Sequence, residues 1–236
     1  YWQAQPRQMA NLADKARSAI EQYGTATQQT LFLNRLFQVD FRRERYMMSD
    51  ETLGYARAMW TAAQKSDNPE QKYSVQFTLG FSHLWLGNSD KAEKHLNASL
   101  TAAERTGDPT HQVRCLTYLT ILFRKSGQIE KVRQYALRTL TLATNLQMAE
   151  YIATAKANLA WIAWREESMS EAQEYGQAAL ELWPGDYPFQ WTALLPLIAT
   201  ALAQGQLSNA IGYTRVLLDP VQQRMPDVLA TELDEA

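Results

Sequence analysis

The chain has 236 residues, of which 46% are apolar and 20% charged, and its formal net charge is -2. This balance is typical of a globular protein, excludes an extensively disordered chain, and disfavours a protein built to coat nucleic-acid phosphates. The single cysteine, Cys115, excludes an internal disulfide, and no apolar run approaches the roughly 20 residues that a membrane span needs. We therefore expect a cytoplasmic protein.

Apolar residues recur at helical spacing along the chain, and turn residues divide them into pairs of helices. A helix over 5–22 comes first and has no partner before it. The predicted pairs are 26–46 with 49–66, 69–86 with 89–106, 109–126 with 129–146, 148–166 with 169–183, and 188–204 with 207–218. A further helix is predicted at 225–235. Because Pro196 lacks a backbone donor, we expect a kink or a later start in the helix over 188–204.

The helix pairs repeat with a period of 40 residues. Moved by 40 positions, Thr61-Ala62-Ala63 falls on Thr101-Ala102-Ala103, and Pro69 falls on Pro109. One apolar column continues through all five pairs and consists of Trp60, Leu100, Leu140, Leu180 and Leu218. One helix pair cannot bury its own apolar faces, so the pairs must stack into a continuous core. We expect Leu100 and Leu140 to be buried in that core.

This pattern resembles the tetratricopeptide repeat. The residues that stand at its consensus positions include Leu79-Gly80, Gly87, Ala92 and Leu100. Thr120 and Ile198 depart from the consensus glycine, and the period exceeds the usual one of about 34 residues. The resemblance implies an all-α fold, a right-handed superhelix of tandem antiparallel helix pairs in one domain over 1–236. The longer period is similar to repeats of large bacterial ATP-dependent signalling and transcription regulators of the maltose-activator type, of which the chain would be a fragment.

No catalytic, metal-binding or cofactor-binding motif is present in the sequence. The histidines His83, His95 and His111 form no HExxH or His-x3-His pattern, so a packing role is the better interpretation. The adjacent Glu166 and Glu167 point about 100° apart on a helix and do not converge on one substrate atom. Motifs that bind nucleotide phosphate or present a serine nucleophile are also missing. The sequence therefore predicts a protein without catalytic activity, cofactor or metal.

The resemblance implies a concave groove lined by the first helix of each pair. Projected onto this sequence, the groove combines aromatic rings with cationic side chains, which are frequent at binding hot spots. The candidate partner-binding residues are Phe81, Trp85, Arg114, Arg124, Lys125, Trp161, Trp164 and Arg165. We expect their cations to gather on one concave wall beside the tryptophans. The alternative is that Trp161 and Trp164 only pack between neighbouring units.

These features favour a protein–protein interaction and regulatory scaffold within a bacterial multidomain signalling protein. Its partner would be a protein or peptide of acidic character, with no direct contact to nucleic acid or membrane. The alternative is a small-molecule effector sensor that holds its ligand in the aromatic-basic groove around Trp161 and Arg165. An enclosed concave site would favour the sensor, whereas an open surface would favour protein docking. The sequence specifies neither the partner nor the oligomeric state.

Overall fold

The structure, a computed structural model, describes residues 6–224, which form a stack of antiparallel α-helices without a strand. The helices are α1 Pro6–Tyr23, α2 Ala26–Arg43, α3 Asp50–Gln64, α4 Pro69–Trp85, α5 Ser89–Thr106, α6 Pro109–Lys125, α7 Ile129–Asn145, α8 Ala149–Arg165, α9 Met169–Leu182, α10 Trp191–Ala203 and α11 Leu207–Leu217. The all-α repeat superhelix predicted from the sequence is confirmed. In this part of the chain no helix is both long and apolar enough to cross a membrane. The helix predicted at 225–235 lies outside the described residues.

The strongest repeat signals in the sequence mark the helix ends of the central pairs. Helices α4 and α6 begin after Asn68 and Asp108, whose side chains accept hydrogen bonds from backbone N–H groups of the first turn. Pro69 and Pro109 follow directly, at a position where a missing N–H costs nothing. Helices α4, α6 and α8 begin in register at residues 69, 109 and 149, although α8 follows Met148 and has neither a side-chain cap nor a proline.

Small residues let the paired helices approach closely. A side-chain carbon added to Gly80 on α4 would lie 2.7 Å from Cγ of Leu96 on α5, so nothing larger than glycine fits there. Between neighbouring pairs, a side-chain carbon added to Gly176 on α9 would likewise lie 2.7 Å from Cγ of Leu197 on α10. Leu100 is buried as predicted. Leu140 packs against the same core but is only half-buried, so the prediction that it is buried is wrong.

Helix α10 begins at Trp191 rather than at residue 188, and it continues through Pro196 to Ala203. The helix therefore starts three residues later than predicted, but Pro196 still lies in its interior. A proline leaves the carbonyl four residues earlier without its helical donor. That carbonyl belongs to Thr192, and it accepts a hydrogen bond of 2.8 Å from Nη1 of Arg124 on α6.

Three loop segments join the two ends of the stack across the concave side. They are the linker 44–49 between α2 and α3, the linker 183–190 between α9 and α10, and the segment 218–224 after α11. We call these segments together the clasp. In an open solenoid each repeat contacts only its neighbours, so contacts between the first and last pairs are an additional constraint on this stack.

The first half of the clasp holds the segment 218–224 against the linker 44–49. The backbone N–H of Arg224 donates to the carbonyl oxygen of Arg45 at 2.9 Å. In return, Nη2 of Arg45 donates to the carbonyl oxygen of Gln222 at 3.1 Å. The side-chain amide of Gln223 donates to the carbonyl oxygen of Tyr46 at 2.8 Å. The first helix pair is thereby fixed to the C-terminal end of the described chain.

The second half of the clasp holds the same segment against the linker 183–190. The backbone N–H of Gln223 donates to the carbonyl oxygen of Pro188 at 2.8 Å, and Nε2 of Gln222 donates to that of Tyr187 at 3.0 Å. The indole N–H of Trp191 donates to Oε1 of Gln223 at 2.9 Å. Gln222 is fully buried, so these hydrogen bonds are shielded from water.

Replacing Leu100 with alanine should lower the free energy of unfolding by about 2–5 kcal/mol, because it leaves a cavity between α5 and its neighbours. The control is Leu137→Ala on α7, at a side chain that is 47% exposed, for which we expect a change below about 0.5 kcal/mol. Urea denaturation of both variants measures the difference. Equal losses at the two positions would contradict the packing described above.

Candidate functional site

A concave groove crosses the first helices of the first three pairs, α2, α4 and α6, and it ends against the clasp. Its volume is about 420 Å³. Helix α8 contributes Glu150 and Tyr151 to its far wall, and the linker 183–190 contributes Phe189. Its other lining residues are Asn34, Arg35, Phe37, Gln38, Phe41, Tyr46, Ser74, Phe77, Thr78, Phe81, Arg114 and Tyr118. The groove is thus built from residues that lie about 40 or about 80 positions apart in the chain.

The repeat arranges the lining residues in columns. Residues four apart lie on the same face of a helix, so each first helix presents two polar positions to the groove. One polar column is Asn34, Ser74 and Arg114, and the other is Gln38, Thr78 and Tyr118. Beneath them lie two aromatic columns, Phe37 with Phe77 and Phe41 with Phe81. The groove therefore has an aromatic floor and a polar rim.

Phe81 is the centre of the aromatic floor. Its ring centroid lies 5.2 Å from that of Phe41, 6.1 Å from that of Phe77 and 4.9 Å from that of Tyr118. These separations are those of favourable edge-to-face and offset ring pairs. All three phenylalanines are buried, so the floor also contributes to the core.

The charges of the groove lie at different places along it. The guanidinium carbon of Arg114 lies 4.5 Å from the ring centroid of Phe77. An arginine stacked on a ring keeps its N–H donors for a carboxylate or carbonyl. Arg35 is exposed on α2, and Glu150 is half-buried on the opposite wall. The positive charges thus lie on α2 and α6, and the negative charge lies at the α8 end.

In the fourth pair the same columns are covered by the chain itself. Thr154, which continues the column of Arg114, is buried beneath Tyr187, with their hydroxyl oxygens 3.4 Å apart. The indole N–H of Trp183 donates to the carbonyl oxygen of Glu150 at 3.1 Å. The linker 183–190 therefore lies over the position where the groove would otherwise continue.

Two of the candidate residues, Phe81 and Arg114, lie in the groove. Trp85 and Lys125 line a second cavity of about 320 Å³ beside the clasp, which we call the clasp cavity. The walls of the two cavities meet where the ring of Trp85 stacks on Phe189 at 5.8 Å. The candidate residues are therefore distributed between separate places, and their cations do not gather on one wall.

Arg124 points into the core and not onto the groove surface. Its guanidinium contacts the carbonyl oxygen of Thr192, Oδ1 of Asn158 at 3.3 Å, and the rings of Trp161 and Trp191 at 5.6 and 5.5 Å. Burial lowers the pKa of Arg124 to about 9. The expectation that Arg124 lies on the concave wall is wrong, because the carbonyl freed by Pro196 draws its side chain inward.

Trp161 is also a core residue and is only 8% exposed. Trp164 is half-buried, and Arg165 is exposed with its guanidinium carbon 5.8 Å from the ring of Trp161 and 5.9 Å from that of Trp164. Replacing Trp161 with alanine is therefore expected to reduce stability, as the packing alternative implies. Only Arg165 and part of Trp164 remain accessible to a partner at this place.

The sequence interpretation missed the residues that the loops bring to the groove, Tyr46 and Phe189. Tyr46 follows the end of α2 in a left-handed conformation with φ of 62°, and its ring lies 5.2 Å from that of Phe189. The available signal was the linker 183–190, which combines Pro184, Gly185 and Pro188 with aromatic residues and is longer than the other turns. Such a segment indicates a loop with a structural role of its own.

One buried cluster has the residue types of a catalytic site. Nε2 of His111 lies 2.8 Å from Oγ of Ser99, and Sγ of Cys115 lies 3.5 Å from the same oxygen. The hydroxyl proton of Ser99, however, is donated to the carbonyl oxygen of Tyr73 at 2.7 Å, so His111 must be the donor to Ser99. Ser99 is fully buried, and Asp108 bonds the backbone N–H of His111 and not its ring. The cluster is therefore a packed hydrogen-bond network and not an activated nucleophile.

Comparison with known proteins supports the repeat fold. A family model described as tetratricopeptide repeat matches residues 70–145, about a third of the chain, which extends from α4 to α7. No curated protein matches the chain in sequence. The chain is a tetratricopeptide-like helical repeat protein by its fold and by this partial match.

Three solved structures have a similar fold at low sequence identity. BtubC (BKLC) from P. vanneervenii has a TM-score of 0.63 and 15% identity, with 94% of this chain and 95% of BtubC covered. A Rap protein complexed with competence and sporulation factor has a TM-score of 0.70 and 13% identity, with 88% of this chain and 58% of the Rap protein covered. The apo form of RapI has a TM-score of 0.59 and 16% identity, with 87% of this chain and 57% of RapI covered. The chain thus spans less than two thirds of the length of the Rap proteins.

Arg124→Ala should lower the free energy of unfolding by about 2–5 kcal/mol, because it leaves a void and an unpaired Thr192 carbonyl. Arg165→Ala, at an exposed arginine, should cost less than about 1 kcal/mol. In a Pro196→Ala background the helix regains its own donor for that carbonyl, so Arg124→Ala should then cost about 1 kcal/mol less. Urea denaturation of the double-mutant cycle measures this coupling, and strict additivity would contradict the role assigned to Arg124.

The imidazole of His111 predicts a pH dependence of stability. Burial and the nearby guanidinium of Arg114 lower the pKa of His111 from 6.5 to about 4. Below pH 6.5 the unfolded chain therefore binds a proton that the folded chain refuses, and stability falls as the pH falls from about 6.5 to about 4. The free energy of unfolding should fall by roughly 3 kcal/mol more over this range than it does in His111→Gln, which lacks the titrating imidazole. Urea denaturation of both proteins across this range tests it, and parallel curves would exclude it.

Proposed function

We propose that the chain is a non-catalytic scaffold that binds an extended segment of a partner protein in the groove. The observation that carries this proposal is that the chain holds its own linker 183–190 over the columns of the fourth pair. In the first three pairs the linker 183–190 does not lie over these columns, and they form the groove of about 420 Å³. An extended segment of a partner bound in the groove would lie over these columns in the first three pairs, as the linker 183–190 does in the fourth.

The polar columns suit the backbone of an extended segment. Asn34, Gln38, Ser74 and Thr78 offer hydroxyl and amide groups that can each donate or accept. The aromatic floor beneath them suits apolar or aromatic side chains that point into the groove. Backbone contacts would provide affinity, and the floor would provide specificity.

The charges define the character of the partner. Arg114, stacked on Phe77, would bind an acidic side chain near the middle of the groove. Glu150 at the α8 end disfavours an acidic group there and suits a basic or neutral one. The expected segment is therefore acidic over most of its length, with its acidic residues placed away from the linker 183–190.

The similar Rap protein was solved in complex with competence and sporulation factor, which supports ligand binding by a fold of this kind. The regulatory role in a bacterial multidomain signalling protein rests on the 40-residue period of the repeat. That context would place the protein in the cytoplasm.

A small-molecule effector is the second candidate occupant. The groove volume falls within the range of small-ligand pockets, about 300–1,000 Å³. The site around Trp161 and Arg165 does not serve this purpose, because the ring of Trp161 is buried. A sensor would therefore use the groove of Phe81 and Arg114.

Selection of extended peptides from a random displayed library against the purified chain tests the proposal. Selected peptides should be enriched in acidic and aromatic residues and should bind with dissociation constants that calorimetry can measure. Arg114→Glu should weaken their binding by at least about tenfold, because it reverses the charge at the middle of the groove.

The matched control is Arg57→Glu, which makes the same charge change at an exposed arginine of α3 outside the groove. It should change binding by no more than about twofold. If no peptide is selected, or if both variants bind selected peptides equally, the groove does not bind such segments. Binding of a small molecule that Arg114→Glu weakens, with no peptide selected, would favour the second candidate.

A further inference from the structure

We propose that the clasp cavity is a second binding site, and that its ligand is a small amphiphilic monocarboxylate, such as a medium-chain fatty-acid anion. This inference is independent of the function proposed for the groove, because the two cavities differ in chemistry. The groove has a polar rim and an aromatic floor, whereas the clasp cavity is mainly apolar with positive charge at its edge.

The walls of the clasp cavity come from parts of the chain that are distant in sequence. Met47 and Met48 belong to the linker 44–49, Leu195 and Trp191 belong to α10, and Trp85 ends α4. The rings of Trp85 and Trp191 meet nearly perpendicularly, with their centroids 6.3 Å apart. Two indole rings and two flexible thioethers make a wall that adapts to an apolar chain. The volume of about 320 Å³ suits a small ligand better than a peptide.

The charge at the cavity edge selects the head group. Lys125 and Arg224 line the cavity, and its described lining includes no aspartate or glutamate. The ammonium of Lys125 lies 5.4 Å from the ring centroid of Trp85 and donates to the carbonyl oxygen of Leu84 at 3.4 Å. Within residues 6–224 it makes no ion pair. A ligand carboxylate beside Lys125 would form an ion pair with this ammonium, while the apolar body of the ligand covers the indole of Trp85.

The ligand would also act on the clasp. Tyr46 and Met47 belong to its first segment, and Gln223 and Arg224 belong to its last, so an occupant would contact both. A ligand that binds only when these segments are together stabilises the closed form by mass action. The clasp cavity is thereby a place at which a metabolite could control the closure of the superhelix.

Isothermal titration of the full chain with decanoate, below its micelle concentration, tests the proposal without any variant. We expect saturable binding to one site. Decan-1-ol and decyltrimethylammonium have a similar apolar chain but lack the carboxylate, and each should bind at least about tenfold more weakly. Absence of saturable decanoate binding, or equal affinity for all three compounds, would overturn the assignment.

Two pairs of variants locate the site. Lys125→Met removes the ammonium and should weaken decanoate binding about tenfold, whereas Lys131→Met should change it by no more than about twofold. Lys131 is a matched control, because its ammonium also lies over a ring, that of Phe123 at 4.5 Å, outside the cavity.

Leu195→Trp fills the cavity from its half-exposed edge and should weaken binding at least about tenfold. Leu202→Trp, on an exposed part of the same helix, should leave binding unchanged. Equal binding by the two variants of either pair would overturn the proposed location. Arg114→Glu in the groove should leave decanoate binding unchanged, which separates this site from the groove.

Discussion

The buried guanidinium of Arg124 is the interaction on which the second half of the superhelix depends. Pro196 removes one donor from α10, and the carbonyl of Thr192 that loses it is buried. An unpaired buried carbonyl is costly, and Arg124 provides the missing hydrogen bond from α6. The same side chain reaches Asn158 on α8, so one cation connects three first helices of successive pairs. It needs no carboxylate, because carbonyl oxygens and two indole rings share its charge.

The position of α10 in turn determines where the groove ends. Because α10 begins only at Trp191, the linker 183–190 has to cross the concave side of α8 before it can enter the last pair. Tyr187 and Phe189 become buried there and cover Thr154. The three-pair length of the groove is therefore a consequence of how the fourth and fifth pairs are connected, and not of a change in the repeat itself.

The sequence predicted the parts of the fold that depend on local signals. Pro69 and Pro109 suit the first turn of a helix and recur 40 residues apart, so the starts of α4 and α6 could be assigned correctly. Phe81 and Arg114 could be placed in the groove because the resemblance to the tetratricopeptide repeat implies that the first helix of each pair lines it. Arg124 could not, because a helical pattern gives the face of a residue and not the direction in which a long side chain turns. Its acceptor lies 68 residues away and exists only because of a proline in another helix.

The clasp makes the groove and the clasp cavity parts of one system. Tyr46 lines both, and the stacked rings of Trp85 and Phe189 form the wall between them. A displacement of the linker 44–49 would therefore change the shape of both cavities together. Protein interiors are too closely packed to absorb such a displacement locally, so it would be transmitted through the wall. Linkage requires that any effect of one ligand on the affinity of the other be reciprocal. An occupant of the clasp cavity that fixes Tyr46 against Phe189 would also fix this wall of the groove, and a partner that fits the groove in this shape would in turn stabilise the clasp.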